Sequence, residues 1–184
     1  ALSRALIEVR SSLQQGLAQC VDNAARIPAS FKPFQSPRVN YGDAPLPVSV
    51  DVAGLEHLCL TVKGTMGGGH TYWGEPVLID AAGKATRLTD LQPQVVVLGW
   101  SELRVNKGGG PFYSIAKQRM AFGLFAHVDS YVSYPLGQKY VRFEAKAGIS
   151  DTGSQGAHAV FGVAGGFDKR QVQSILRGSM ENES

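Results

Sequence analysis

The sequence predicts an all-β chain, a two-sheet sandwich with one helix before it and a short one after. Three observations carry this prediction. Apolar and polar residues alternate over short runs from about Val48 onward, which is the period of a half-buried strand. The 22 glycines and 9 prolines are spread along the chain rather than gathered in one tract, as frequent turns between short strands require. A chain of 184 residues that is 43% hydrophobic can bury one sizeable core, and a second full domain does not fit beside it.

The elements follow in order. Leu2, Leu6, Leu13, Leu17 and Val21 return to one face about every 3.6 residues, and no proline precedes Pro28, so residues 1–27 are expected to form an amphipathic helix. The next stretch, ARIPASFKPFQSPRVNYGDAPLP, contains five prolines. They lack the N–H that a sheet ladder needs, which makes this an extended connector or edge. VSVDV and LEHLCLTVKG then alternate as strands, and PVLIDAAGKATRL reads as two strands around a turn at Asp80 to Lys84. Further strands are expected at Val95–Leu98, Leu103–Val105, Phe112–Ile115, Ala121–Phe125, Tyr131–Tyr134, Tyr140–Gly148 and Ala157–Val163. In the tail, Val172, Ile175 and Leu176 lie at i, i+3 and i+4, the stripe of a short helix. The expected organisation is therefore helix and connector over 1–36, sandwich over 37–166, and short helix with polar tail over 167–184.

Several function classes lose support here. The formal charge is +3, but the lysines and arginines are scattered, and Lys169-Arg170 is the longest basic cluster. Nucleic acid, which needs a basic face or stripe, is not an expected partner. No apolar run approaches the ~20 residues of a membrane span, and an export signal, for an exported chain, is expected upstream. Cys20 and Cys59 are too far apart for a CxxC motif. A Cys20–Cys59 disulfide in an exported protein and two small buried side chains both remain open.

The segment GTMGGGHTYWGEP, residues 64 to 76, is the candidate binding loop. Glycines allow close backbone approach, an aromatic face packs on the C–H face of a sugar, and histidine donates to hydroxyls. The expected ligand contacts are His70, Tyr72, Trp73 and Glu75. The competing reading makes Trp73 a core anchor and the glycines a long hairpin. The glycines of NKGGGPF lack the GxxxxGK[ST] pattern of a phosphate loop and are expected to form a hairpin turn. His127 and Asp129 would share a face of one strand, yet GxSxG and HExxH are absent. Glu75, Glu102, Asp129, Glu144 and Asp151 form no recognisable glycosidase pair. No catalytic residues are therefore assigned, and no cofactor is expected. Loop oxygens around Asp151 are the candidate for a structural calcium.

The order of motifs resembles the NPCBM domain, a jelly-roll carbohydrate-binding module with a galactose-binding-like sandwich, often attached to glycosidases. The resemblance runs over roughly residues 73 to 163. It rests on Asp90-Leu91, Gly99-Trp100, Gly123 through His127 with Ser130, Tyr140 with Arg142-Phe143, Gly148 and Asp151, and Val160-Phe161 with Val163. Ser101 stands where the family usually has glycine, and Ala126 where it usually has threonine. VSVDVAGLEHLCLTV and the Trp73 segment resemble the family's closing strands placed before its opening ones. The resemblance implies that Trp100, His127, Arg142 and Phe143 serve the scaffold. It further implies a non-catalytic glycan-binding module of a larger exported bacterial protein, periplasmic or extracellular, with a cell-surface polysaccharide as partner. The alternative is a structural subunit that keeps the sandwich and holds other subunits of an exported complex without binding sugar.

Overall fold

The computed structural model describes residues 26–65, 67–108, 113–166 and 169–181. The expected N-terminal helix, Cys20 with its proposed bridge, and most of the glycine turn at 106–112 lie outside them. Fourteen strands are described: β1 (Phe34–Gln35), β2 (Val39–Asn40), β3 (Leu46–Asp51), β4 (His57–Gly64), β5 (His70–Asp80), β6 (Ala85–Arg87), β7 (Val95–Leu98), β8 (Arg104–Asn106), β9 (Ser114–Ile115), β10 (Gln118–Arg119), β11 (Gly123–His127), β12 (Ser130–Pro135), β13 (Tyr140–Ile149) and β14 (His158–Ala164). A helix, α1 (Lys169–Glu181), follows.

Two six-stranded antiparallel sheets face one another. The first runs β1-β14-β4-β12-β7, with β2 also on β14, and the second runs β3-β13-β5-β11-β8, with β6 also on β5. The proline-rich connector thus lends two short strands to the first sheet. β6 and β11 share one side of the long β5: Val77–Ile79 pair with Arg87–Ala85, and His70–Gly74 pair with His127–Gly123.

Alternation sends Leu58, Leu60, Val62, Val132 and Phe161 of the first sheet, and Val50, Trp73, Leu78, Leu124 and Phe143 of the second, into one core between the layers. Trp73 meets Phe161 edge to face at 5.1 Å and Phe143 at 6.1 Å.

Both outer faces are partly covered. On the first sheet, Val172 and Ile175 of α1 pack on Cys59, Val97 and Tyr131, so the apolar stripe of the tail covers the sandwich. On the second, the β9–β10 hairpin brings Ile115 and Met120 down on Tyr72 and Phe125. Glycines make room there: a Cβ on Gly148 would lie 2.5 Å from Ile115, and one on Gly123 2.5 Å from the Tyr72 ring. Among the described residues no helix is long and apolar enough to cross a membrane.

Candidate functional site

The expected binding loop is mostly strand. Residues 70–76 open β5, which lies between β13 and β11. Adjacent strand residues point to opposite faces, and both faces of this sheet are covered at that point. Trp73 therefore enters the inter-sheet core at 4% exposure, and Tyr72 lies fully buried beneath the hairpin. There Tyr72 meets the Tyr113 ring at 5.1 Å, and its hydroxyl accepts from Asn106 Nδ2 at 3.4 Å. Neither ring offers a face to a sugar, which corrects the expectation for both.

Glu75 has a structural place. It lies at the register shift between β5 and β13 with φ 51°, just before Pro76, which cannot donate to the ladder. Its carboxylate pairs with Lys146 Nζ at 2.6 Å and accepts from the Ala121 N–H at 3.2 Å. The Lys146 hydrogen bond holds it below the usual carboxylate range.

His70 does reach the surface. It is paired across the ladder with His127, their rings 4.5 Å apart and edge to face, and its Nδ1 lies 3.1 Å from Thr152 Oγ1. Phe125 forms the floor of this group: both imidazoles sit 5.5 Å from its ring, Tyr113 stacks on it at 4.7 Å, and the Arg104 guanidinium lies 5.7 Å above it. Burial, then the like charges of His70 and Arg104, hold the His127 imidazole below its ordinary range. Asp129 does not join His127. It accepts from the Gly64 N–H at 2.9 Å, and burial pushes its carboxyl up.

The scaffold residues divide. Phe143 is fully buried in the core, whereas Arg142 is a surface side chain paired with Glu144 at 2.8 Å. Trp100, expected to serve the scaffold, is 57% exposed. The cause is the loop after β7, where the Gly99 N–H donates to the Asp129 carbonyl at 2.8 Å and Ser101 turns with φ 62°. Backbone presses on the 128–129 turn, and the indole stays in solvent.

At Asp151, the carboxylate accepts from the Ser114 hydroxyl and from the Lys117 N–H at 2.8 Å. No group of three His, Cys, Asp or Glu side chains able to hold a metal occurs among the described residues.

What emerges is a patch on the outer face and end of the second sheet: His70 from β5, His127 from β11, Arg104 from β8 and Tyr113 before β9. The Trp100 loop crosses the same end. Sequence reading named both histidines but missed Arg104 and Tyr113. The usable signal was the period-two placement of Phe125 and His127, and of His70 and Tyr72, on one face.

The family model of the NPCBM/NEW2 domain matches residues 84–184. The chain belongs to the NPCBM/NEW2 family. That family is one of carbohydrate-binding modules, and the NPCBM/NEW2 match here begins after β5. Among solved structures the chain is similar to the crystal structure of SPBc2 prophage-derived protein YomS, with 12% identity, TM-score 0.33, and coverage of 72% of this chain and 93% of that one. No curated protein matches it.

Proposed function

We propose that this chain is a non-catalytic glycan-binding module of a larger exported protein, and that the sugar lies at the sandwich end carrying Trp100, His70, His127 and Arg104. The observation that carries the reading is the open face of Trp100. An indole left in solvent loses apolar burial, and a sugar ring packed on it recovers that contact while side-chain donors nearby take hydroxyls. One ring and a few hydrogen bonds give weak single-site affinity, ~1 mM to ~10 μM, which several linked modules would raise.

The test is a glycan array on the chain, followed by calorimetric titration of the best ligand. Trp100→Ala should abolish retention with the melting temperature unchanged. Trp73→Ala should instead destabilise the fold by ~3–5 kcal/mol. A Trp100→Ala protein that binds like its parent overturns this placement.

The assembly reading has one observation in its favour. Val96 on β7 and Val105 on β8 are exposed, and both strands are sheet edges flanking the Trp100 loop. Among the described residues no further strand pairs with either edge, and edges with apolar side chains suit a protein neighbour. If no glycan binds and Trp100 fluorescence shifts only with a co-purifying subunit, assembly is the better account.

A further inference from the structure

The patch has a charge character that a neutral sugar would not use. Three nitrogen groups, Arg104, His70 and His127, converge over Phe125 from three adjacent strands. Around His127, β5 contributes His70 and β8 contributes Arg104, whose guanidinium hydrogen-bonds the Tyr113 hydroxyl from the segment before β9. The nearby carboxylates are engaged elsewhere or held loosely. Asp129 turns to the Gly64 N–H, Asp151 to Ser114 and Lys117, and Glu102 reaches Arg104 only at 3.9 Å with its side chain 79% exposed. The charges that reach His127 are thus those of His70 and Arg104, both of its own sign.

We propose that this cluster binds the oxyanion of an acidic sugar, a carboxylate or a sulfate, so that the module selects acidic over neutral glycans. Guanidinium and imidazolium groups donate charge-assisted hydrogen bonds to such an oxyanion, and these are stronger than hydrogen bonds to a hydroxyl. The anion also offsets the like-charge repulsion that, after burial, disfavours the protonated form of His127. It therefore favours protonated His127, and binding takes up a proton and tightens as pH falls through the imidazole range.

This inference rests on the glycan-binding reading above, and the experiment separates the two. The whole chain is titrated with polygalacturonate, a sulfated galactan and a neutral galactan of similar length. Titrations run at about pH 5.5 and about pH 7.5, either side of the ordinary imidazole pKa of ~6.5. At least one acidic chain should bind about tenfold tighter than the neutral one, and tighter at the lower pH. The uronate and sulfate arms identify which oxyanion is preferred. Arg104→Gln should remove most of the preference, and His127→Gln the pH dependence. Lys139→Gln, in the 136–139 turn at the opposite end of β12, should change neither. Equal binding of neutral and acidic chains that still requires Trp100 overturns this inference and leaves the glycan role standing. Acidic binding weakened equally by Lys139→Gln and Arg104→Gln also overturns it, as general charge attraction. No binding to any of the three, with none on the array, overturns both readings.

Discussion

Tyr134 is fully buried in the inter-sheet core, and its hydroxyl has no hydrogen-bond partner among the described residues. Burial also pushes its phenol well above the usual range. A hydroxyl taken from water without a partner costs stability. Tyr134→Phe is therefore expected to stabilise by ~1 kcal/mol, raising the melting temperature by about 2–4 °C for a chain of this size. Calorimetry checks this, and a fall in melting temperature would mean the hydroxyl has a partner. At this same scale the two tryptophans show what a sequence hides. Both stand beside glycine, Gly74 after Trp73 and Gly99 before Trp100, and composition cannot tell them apart. Trp73 is decided by lying on a strand whose two faces are both covered. Trp100 is decided by a loop whose backbone, not its side chain, makes the contact. The adjacent pair Tyr72-Trp73 held a readable hint, since neighbouring aromatics on one strand are both buried only where a sheet is sandwiched.

The strands themselves were legible. Val95–Leu98 falls where alternation placed it, and β12, β13 and β14 differ from the expected spans by a residue or so at either end. Their period-two pattern survives because one face is core and the other is polar or only locally covered. The hairpin cover was not legible. Ile115 and Met120 are isolated apolar residues whose burial depends on gaps left in another strand, and periodicity does not report that. Those gaps are testable at Gly123, where a Cβ would meet both the Trp73 carbonyl at 2.4 Å and the Tyr72 ring. Gly123→Ala is expected to cost ~1–3 kcal/mol by overpacking. The loss should shrink when Tyr72 is also replaced by Ala, a coupling that a double-mutant cycle measures. Simple additivity of the two changes would show that the carbonyl contact alone sets the cost.

Across the molecule, the family match and the folded unit have different limits. Residues 84–184 exclude β3, β4 and β5. β4 is the strand that joins β12 to β14, and β5 is the strand that joins β13 to β11. The sequence hinted at this by placing strands that resemble the family's closing ones ahead of its opening ones. A fragment starting at Lys84 is therefore expected to give no cooperative melt, whereas one starting at Arg26 should melt as a sandwich. A cooperative transition in the shorter fragment would show that β4 and β5 are dispensable. The same topology sets a timetable for the chain as it is made. Val62 waits for Ser130, and Cys59 waits for Ala164. At ~5–20 residues per second, β4 spends roughly 3–14 s synthesised but without either neighbour. During that interval its apolar face and unpaired edge are open to other nascent chains and to chaperones, so the yield of folded protein should respond to translation speed and to holdase supply as well as to the stability of the finished sandwich.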